Sequence, residues 1–138
     1  MFKPKYLFTF TFLFIAAFAL SCQSSSTTTA TNQSGEIKQA TVQETSEAVK
    51  KENVQFIDVR TAEEFAGSHA PKTVNYPLDK IETDLAKLDK NKPVYVICQT
   101  GRRSQKAAES LQKAGFKEIY NVKGGTSEWI SAGLPTEK

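Results

Sequence analysis

The sequence predicts an α/β domain with a largely parallel central sheet that is flanked by helices on both faces. From about residue 37 onward, apolar strand-forming runs alternate with segments of helical spacing, which is the order of strand, crossover helix and parallel strand. The run 94–97 shows no polar alternation, as expected of a strand covered on both faces. Two Thr-x-x-Glu patterns, beginning at Thr41 and Thr61, are typical of helix N-termini.

The first half of the domain is predicted to contain three strands and two helices. Residues 37–40 form a short strand, and a helix capped by Thr41 runs to about Lys51. The mostly apolar run 54–59 is a second strand, and a short helix follows Thr61 and ends near residue 67. Residues 74–76 form a further short strand.

Apolar spacing predicts further helices in the second half. One face is formed by residues at steps of three and four, namely Leu78, Ile81, Leu85 and Leu88. After Pro93 and the strand 94–97, a second stripe of Ala107, Ala108, Leu111 and Ala114 precedes Gly115, which can end that helix. Phe116 is placed for the apolar contact that accompanies such an end. A strand at 119–122 and a helix at 126–132 complete the predicted domain.

The first 36 residues are predicted to lie outside this domain, which occupies residues 37–138. Residues 1–21 read as an export signal, because two lysines precede an apolar stretch shorter than the ~20 residues that usually span a bilayer. The segment Ala19-Leu20-Ser21-Cys22 resembles the lipobox of bacterial lipoproteins, which implies lipid on Cys22 and an exported, lipid-anchored position in the cell envelope. Residues 22–36, rich in Ser and Thr, predict a flexible tether.

The charge and the cysteine content of the chain limit the classes of function that it can have. The formal charge of +3 falls to about +1 when Lys3 and Lys5 leave with the signal, because 16 basic side chains then face 15 acidic ones. With this balance of charge, the chain lacks the excess of basic side chains that is typical of nucleic-acid-binding proteins. With Cys22 lipidated, Cys98 has no intramolecular partner, although a structural disulfide is the default for two cysteines in an exported chain. A single histidine, His69, makes no metal site, and no cofactor is predicted.

Cys98 stands where a reactive thiolate is expected. The apolar strand stops on this residue, and a basic turn containing Gly101 leads into a helix that begins near Ser104. The turn can fold its backbone N–H groups inward around an anion, and the helix N-terminus and nearby guanidinium groups also favour the thiolate. The alternative is a small buried structural cysteine, which needs neither the glycine nor the two arginines. In a parallel sheet this loop and the segment 58–60 share the carboxyl edge.

Four motifs together resemble the rhodanese family of sulfurtransferases. In chain order they are Asp58-Val59-Arg60, Glu63-Glu64-Phe65 with Ser68-His69-Ala70-Pro71, the Cys98 loop, and Gly124-Gly125 with Trp129. The resemblance covers nearly the whole domain and implies a rhodanese-like fold. It also implies that a Cys98 persulfide carries sulfane sulfur from a donor such as thiosulfate to a thiol or cyanide acceptor.

The same resemblance implies roles for individual residues. Cys98 would be the nucleophile, and Arg103 would attract the anionic donor. Backbone N–H groups of the following loop would cradle the thiolate and the outer sulfur, and this loop comprises Gln99, Thr100, Gly101, Arg102 and Arg103. The resemblance gives His69 a structural position, which is favoured over a role as general base. Apart from the resemblance, Asp58 and Arg60 are expected to hydrogen-bond neighbouring loops together, with a direct catalytic part as the less favoured alternative.

Two alternatives stay open. A rhodanese-like module could carry persulfide sulfur or dock a partner without turnover. Phosphatase or arsenate chemistry is less favoured, because related phosphatases place five residues between cysteine and arginine, whereas four stand here.

The sequence departs from the family pattern at two places, one of which bears on the substrate and the other on the fold. Gln99 stands where many thiosulfate-using members have a basic residue, and Ala70-Pro71-Lys72 replaces the commoner Ile-Pro-Gly, which leaves the geometry of that turn open.

Overall fold

The computed structural model describes residues 34–138, which contain a five-stranded parallel sheet flanked by helices. The predicted signal segment 1–21, Cys22 and most of the predicted tether 22–36 lie outside the described residues. At the start of the described part, the backbone N–H of Gly35 donates to the carbonyl of Phe116 at 2.9 Å. In residues 34–138, no helix is both long enough and apolar enough to cross a membrane.

The sheet has the parallel arrangement that the sequence predicts. Its strands are β1 Ile37–Ala40, β2 Gln55–Asp58, β3 Val74–Asn75, β4 Val94–Ile97 and β5 Ile119–Val122. Their order is β1-β5-β4-β2-β3, and every neighbouring pair is parallel. The α/β fold class is therefore confirmed, and β4 lies at the centre of the sheet.

The helices are α1 Val42–Ala48, α2 Ala62–Gly67, α3 Ile81–Asp84, α4 Arg102–Lys113 and α5 Gly125–Ser131. Both capping boxes are confirmed, because Thr41 and Thr61 each cap a helix and exchange hydrogen bonds with the glutamate three residues on. Helix α4 begins at Arg102, two residues earlier than expected. Consequently both arginines of the loop belong to its first turn.

Side chains from alternate positions of the strands form two cores, one on each face of the sheet. On one face, Val94 and Val96 of β4 pack in a cluster with buried residues of α3 and α4. On the other face, Ile97 packs in a cluster with residues of α1 and α5, among them Val42 and Trp129. Burial on both faces explains why the β4 sequence shows no polar alternation.

The single helix predicted over residues 78–88 is wrong. The segment contains a 3-10 turn at Leu78–Lys80, the short α3, and a second 3-10 turn at Leu85–Lys87. Ile81 is buried, and the leucines of the predicted stripe pack against the same core. Steps of three and four residues suit a run of 3-10 and α turns as well as a continuous helix, so the apolar pattern could not distinguish them.

The turn at Lys72 adopts a backbone conformation that usually requires glycine. Lys72 has φ +63, and it is the one non-glycine residue with positive φ in the described part of the chain. Its Nζ donates to the carbonyl of Val49 at 3.1 Å, just beyond α1. Lysine stands here where the family commonly has glycine. The turn nevertheless keeps its left-handed conformation, which costs backbone energy in a residue with a side chain.

Candidate active site

Cys98 follows β4 at the carboxyl edge of the sheet, as the sequence predicts. Its side chain is only 1% exposed and packs in the core cluster shared by β4 and α4. Within residues 34–138 Cys98 is the sole cysteine, and it is free. The sulfur therefore lies at the buried base of the turn formed by residues 99–103, and not at the opening of that turn. A substrate must reach it through the opening of that turn.

Polar hydrogens surround the sulfur despite this burial. The backbone N–H of Gly101 donates to Sγ at 3.1 Å, and the hydroxyl of Ser104 lies 3.4 Å from it. Burial alone raises the pKa of the Cys98 thiol, but hydrogen bonds from the Ser104 hydroxyl and from the N–H groups of Ser104, Thr100 and Gly101 outweigh it. The net effect lowers the pKa of Cys98 below its ordinary value, which favours the thiolate.

Helix α5 sets the orientation of the loop. The N–H groups of Thr126 and Ser127, in the first turn of α5, donate to the carbonyls of Cys98 and Gln99 at 2.8 and 3.0 Å. In a trans peptide the carbonyl and the next N–H point in opposite directions, and no cis peptide occurs in residues 34–138. The N–H groups of Gln99 and Thr100 therefore point away from α5, where an anion held by the loop can accept from them.

Two glycines permit this arrangement for different reasons. Gly125 has φ +60, and a Cβ there would lie 2.2 Å from the Cys98 carbonyl oxygen, so α5 could not approach the loop. Gly101 has φ +92, but a Cβ there would come no closer than 3.5 Å to any atom, so only its backbone conformation demands glycine.

Ser104 and Asn121 belong to the site and were not predicted to. The Ser104 hydroxyl donates to Oδ1 of Asn121 at 2.6 Å. Asn121 lies on β5 and is 4% exposed. Its Nδ2 donates to the Gly101 carbonyl at 3.3 Å and to the side chains of Gln39 and Gln105 at 3.1 Å each. A polar residue inside the apolar run 119–122 was a sequence signal that could have identified it.

Arg103 is engaged by a carboxylate. Its Nη1 and Nη2 each donate to one oxygen of Glu64 at 2.7 Å. The guanidinium holds the pKa of Glu64 down at about 2, and the same carboxylate accepts from the Thr61 N–H as part of the α2 cap. Arg103 thus ties the loop of residues 99–103 to α2. The guanidinium that the family resemblance implies for donor binding is therefore paired with a carboxylate here.

Arg102 and Lys106 stand at the loop opening with exposed side chains. They line a hollow of about 240 Å³ together with Gln99, Thr100 and Arg103. Both also line an adjoining open groove of about 540 Å³, which reaches Asn121 and Lys123 on the other side.

Asp58 and Arg60 meet in a buried ion pair beside this edge. Arg60 Nη2 lies 2.6 Å from Oδ2 of Asp58 and 2.8 Å from the Ser68 carbonyl oxygen, to which it donates. Asn75 Nδ2 donates to the carbonyls of both residues at 3.0 and 2.9 Å. The pair joins the turn that follows β2 to the turn that follows α2.

His69 also has structural contacts. Its ring stacks on Phe65 with 3.8 Å between centroids, and Nδ1 lies 2.9 Å from the Phe65 carbonyl oxygen. Its backbone pairs with Glu137 in an isolated bridge. These contacts occupy the side chain near α2 and the C-terminal segment.

The family model of the Rhodanese-like domain matches residues 41–132 of the 138. The chain belongs to the rhodanese-like family. This rhodanese-like chain is 36% identical over 86 residues to the thiosulfate sulfurtransferase GlpE of Pseudomonas savastanoi pv. phaseolicola, a match covering 62% of the chain and 81% of GlpE. It is 40% identical over 78 residues to "Putative sulfur carrier protein YrkF" of Bacillus subtilis, covering 56% of the chain but only 42% of YrkF.

Solved structures show the same domain. The rhodanese-like domain protein of Staphylococcus aureus is 34% identical to the chain, with a TM-score of 0.64. The match covers 73% of the chain and 99% of the S. aureus protein. The rhodanese-like domain is thus shared over almost the entire length of that structure, and the Cys98 loop belongs to the matched family region.

Proposed function

We propose that this domain is a sulfurtransferase that stores sulfane sulfur as a persulfide on Cys98. The observation that carries the proposal is the 3.1 Å hydrogen bond from the Gly101 N–H to the Cys98 sulfur, in a turn where α5 binds the carbonyls of Cys98 and Gln99. This arrangement directs backbone donors toward one sulfur atom and stabilises negative charge on it.

In the first step, the Cys98 thiolate attacks the outer sulfur of a donor such as thiosulfate. A new S–S bond forms on Cys98, the bond between the two donor sulfurs breaks, and sulfite leaves with the electron pair. The outer sulfur then lies about 2 Å from Sγ, the length of an S–S bond. Loop N–H groups and the N-terminus of the twelve-residue helix α4 stabilise the charge that this sulfur carries.

In the second step, a thiolate or cyanide attacks the outer sulfur, and Cys98 leaves as a thiolate. The hydrogen bonds that lower the pKa of Cys98 make it a better leaving group in this step. The same donors from Gly101 and Ser104 therefore serve both halves of the transfer.

A persulfide carrier is the second candidate, and the burial of Cys98 favours it. A sulfur that is 1% exposed is accessible only through the loop opening, which protects a stored persulfide from solvent. The relatives support both ideas, since GlpE is named a thiosulfate sulfurtransferase and YrkF is named for sulfur carriage. Phosphatase chemistry has less support, because the loop is one residue short and Glu64 engages Arg103.

Mass spectrometry of the full chain incubated with thiosulfate tests the proposal. We expect a gain of one sulfur atom that cyanide removes. Cys22→Ser is the matched control and retains the gain, whereas Cys98→Ser loses it. Equal sulfur transfer by wild type and Cys98→Ser would overturn the assignment. Steady-state measurement with donor and acceptor both in excess then separates an enzyme, which reloads and turns over many times, from a carrier, which does not reload from the small donor at a useful rate.

We also propose, from the N-terminal sequence, that the chain is exported and anchored through lipid on Cys22. The support is the apolar stretch of residues 6–20 and the lipobox-like Ala19-Leu20-Ser21-Cys22. Incorporation of a labelled fatty acid in bacterial cells tests this proposal. We expect Cys22→Ala to abolish labelling and Cys98→Ala to leave it unchanged; labelling that survives Cys22→Ala would refute the anchor.

A further inference from the structure

We propose that Arg102 and Lys106 form a subsite for the carboxylate of a small thiol that accepts sulfur from Cys98, or returns it as the corresponding persulfide. This inference rests on the proposed sulfurtransferase function and names the substrate class that the loop opening recognises. Because transfer between two sulfurs is reversible, the thiol and its persulfide occupy the same place.

The charge at the opening comes from these two residues and not from Arg103. Arg103 donates through Nη1 and Nη2 to the Glu64 carboxylate, and both partners are about one-third exposed. In residues 34–138, neither Arg102 nor Lys106 forms a salt bridge, and both side chains are exposed. An incoming anion therefore meets two unpaired cations beside the loop that holds Cys98.

Helix geometry places the two cations together. Arg102 and Lys106 are four residues apart in α4, so they are neighbours on the helix surface. Both line the 240 Å³ hollow over the loop and the 540 Å³ groove next to it. They therefore stand where the two spaces meet, next to the loop that holds Cys98.

The size and lining of the groove point to an organic anion. Its volume lies in the range of about 300–1,000 Å³ found for small-molecule sites, which leaves room for more than an inorganic donor. Lys123 adds a third cation to the lining, and Glu109 is the one acid there. Gln99, which also lines the hollow, is neutral, and the guanidinium of Arg103 there is paired with Glu64.

A carboxylate is the group that these side chains bind best. The planar guanidinium of Arg102 can donate two parallel hydrogen bonds to a carboxylate, and the ammonium of Lys106 adds a point charge one helical turn away. The thiolate of the same molecule then attacks the outer persulfide sulfur. The new S–S bond forms on the acceptor, the bond to Cys98 breaks, and Cys98 keeps the electron pair as thiolate.

Two acceptors that differ in one group test the subsite. Full-length protein carrying the Cys98 persulfide is mixed with 3-mercaptopropionate or with 2-mercaptoethanol, and the ratio of their kcat/KM values is measured. We expect Arg102→Gln and Lys106→Gln each to lower this ratio about threefold, mainly through KM for mercaptopropionate, and the double variant about tenfold. Activity of Lys106→Gln with mercaptoethanol should stay within about twofold of wild type, whereas Arg102→Gln, which changes a residue of the loop itself, is judged by the ratio of the two acceptors.

Lys113→Gln is the matched control, because it removes the same charge from the exposed far end of α4. An unchanged ratio in the Arg102 and Lys106 variants, or an equal fall in Lys113→Gln, would overturn the subsite. Persulfide loading of each variant is measured separately by mass. A wild-type protein that never loads sulfur contradicts the proposed function itself, whereas normal loading with an unchanged ratio contradicts the subsite alone.

Discussion

The hydroxyl oxygen of Ser104 lies 2.6 Å from Oδ1 of Asn121 and 3.4 Å from the sulfur of Cys98. A serine has one hydroxyl hydrogen, so these two acceptors compete for it. Three acceptors bind Nδ2 of Asn121, which fixes its Oδ1 toward Ser104. While Cys98 is a neutral thiol, the hydroxyl of Ser104 therefore donates to Asn121. When Cys98 ionises, its sulfur becomes the stronger acceptor of the same hydrogen. The buried amide of Asn121 thus competes with the thiolate and influences how readily Cys98 ionises.

The first prediction concerns this hydroxyl. Ser104→Ala should raise the pKa of Cys98, because the hydroxyl donor that favours the thiolate is lost while the burial remains. Alkylation by iodoacetamide at neutral pH should slow about fivefold, and the pH profile should move upward. Ser110→Ala, on the same helix, is the control and should leave the profile unchanged. An unshifted profile in Ser104→Ala would show that the hydroxyl does not act on the sulfur.

Local sequence signals were enough to place most of the fold. Capping boxes at Thr41 and Thr61 fix helix starts through hydrogen bonds within four residues, and the uninterrupted apolar run of β4 reveals burial on both faces. The sequence also predicted Cys98 at the carboxyl end of β4, because the apolar run of that strand stops at this residue. These features depend on neighbours in the chain, so the sequence alone can reveal them.

The features that the sequence did not reveal depend on tertiary contacts. Arg103 and Glu64 are 39 residues apart, and their pairing follows from how α2 packs beside the loop. The depth of Cys98 follows in the same way from the packing of α4 on the sheet. The polar residue in the apolar run 119–122 marks Asn121 as unusual, but its partner Ser104 is known only once β5 lies beside β4 and α4 packs on the sheet.

The second prediction concerns the contact between α5 and the loop. Gly125→Ala should lower the free energy of unfolding by about 3 kcal/mol or more, because its Cβ would lie 2.2 Å from the Cys98 carbonyl oxygen. Gly133→Ala is a matched control, since Gly133 also has positive φ but no atom lies within 4 Å of the place that a Cβ would occupy there. It should cost only about 1 kcal/mol. Urea unfolding measures both, and equal costs would contradict the steric account.

The third prediction concerns the turn at Lys72. Lys72→Ala keeps a side chain at φ +63 and loses the bond from Nζ to the Val49 carbonyl, so it should be destabilising. Lys72→Gly loses the same bond but relieves the left-handed conformation. We expect the glycine variant to be more stable than the alanine variant by about 1 kcal/mol in urea unfolding. The reverse order would mean that this turn carries no backbone strain.

The fourth prediction concerns the ion pair of Glu64 and Arg103. In the folded chain the pKa of Glu64 is about 2, below its ordinary value of 4.5, because Arg103 donates to the carboxylate. The stabilisation is therefore present above about pH 4.5 and is lost as the pH falls through 2. We expect Glu64→Gln to be less stable than wild type by about 1 kcal/mol at pH 7, since the pair is partly exposed, and the difference to vanish near pH 2.

Glu44→Gln provides the matched control for this pH dependence. Glu44 caps α1 through Thr41 as Glu64 caps α2 through Thr61, but in residues 34–138 it has no salt-bridge partner. If capping alone explained the effect, both variants would lose the same stability over the same pH range. A larger, acid-sensitive loss in Glu64→Gln would instead identify the guanidinium as the cause. Thermal unfolding between pH 2 and pH 7 distinguishes these outcomes, because hydrogen bonds from Thr41 also lower the pKa of Glu44, but Arg103 brings the pKa of Glu64 down to about 2.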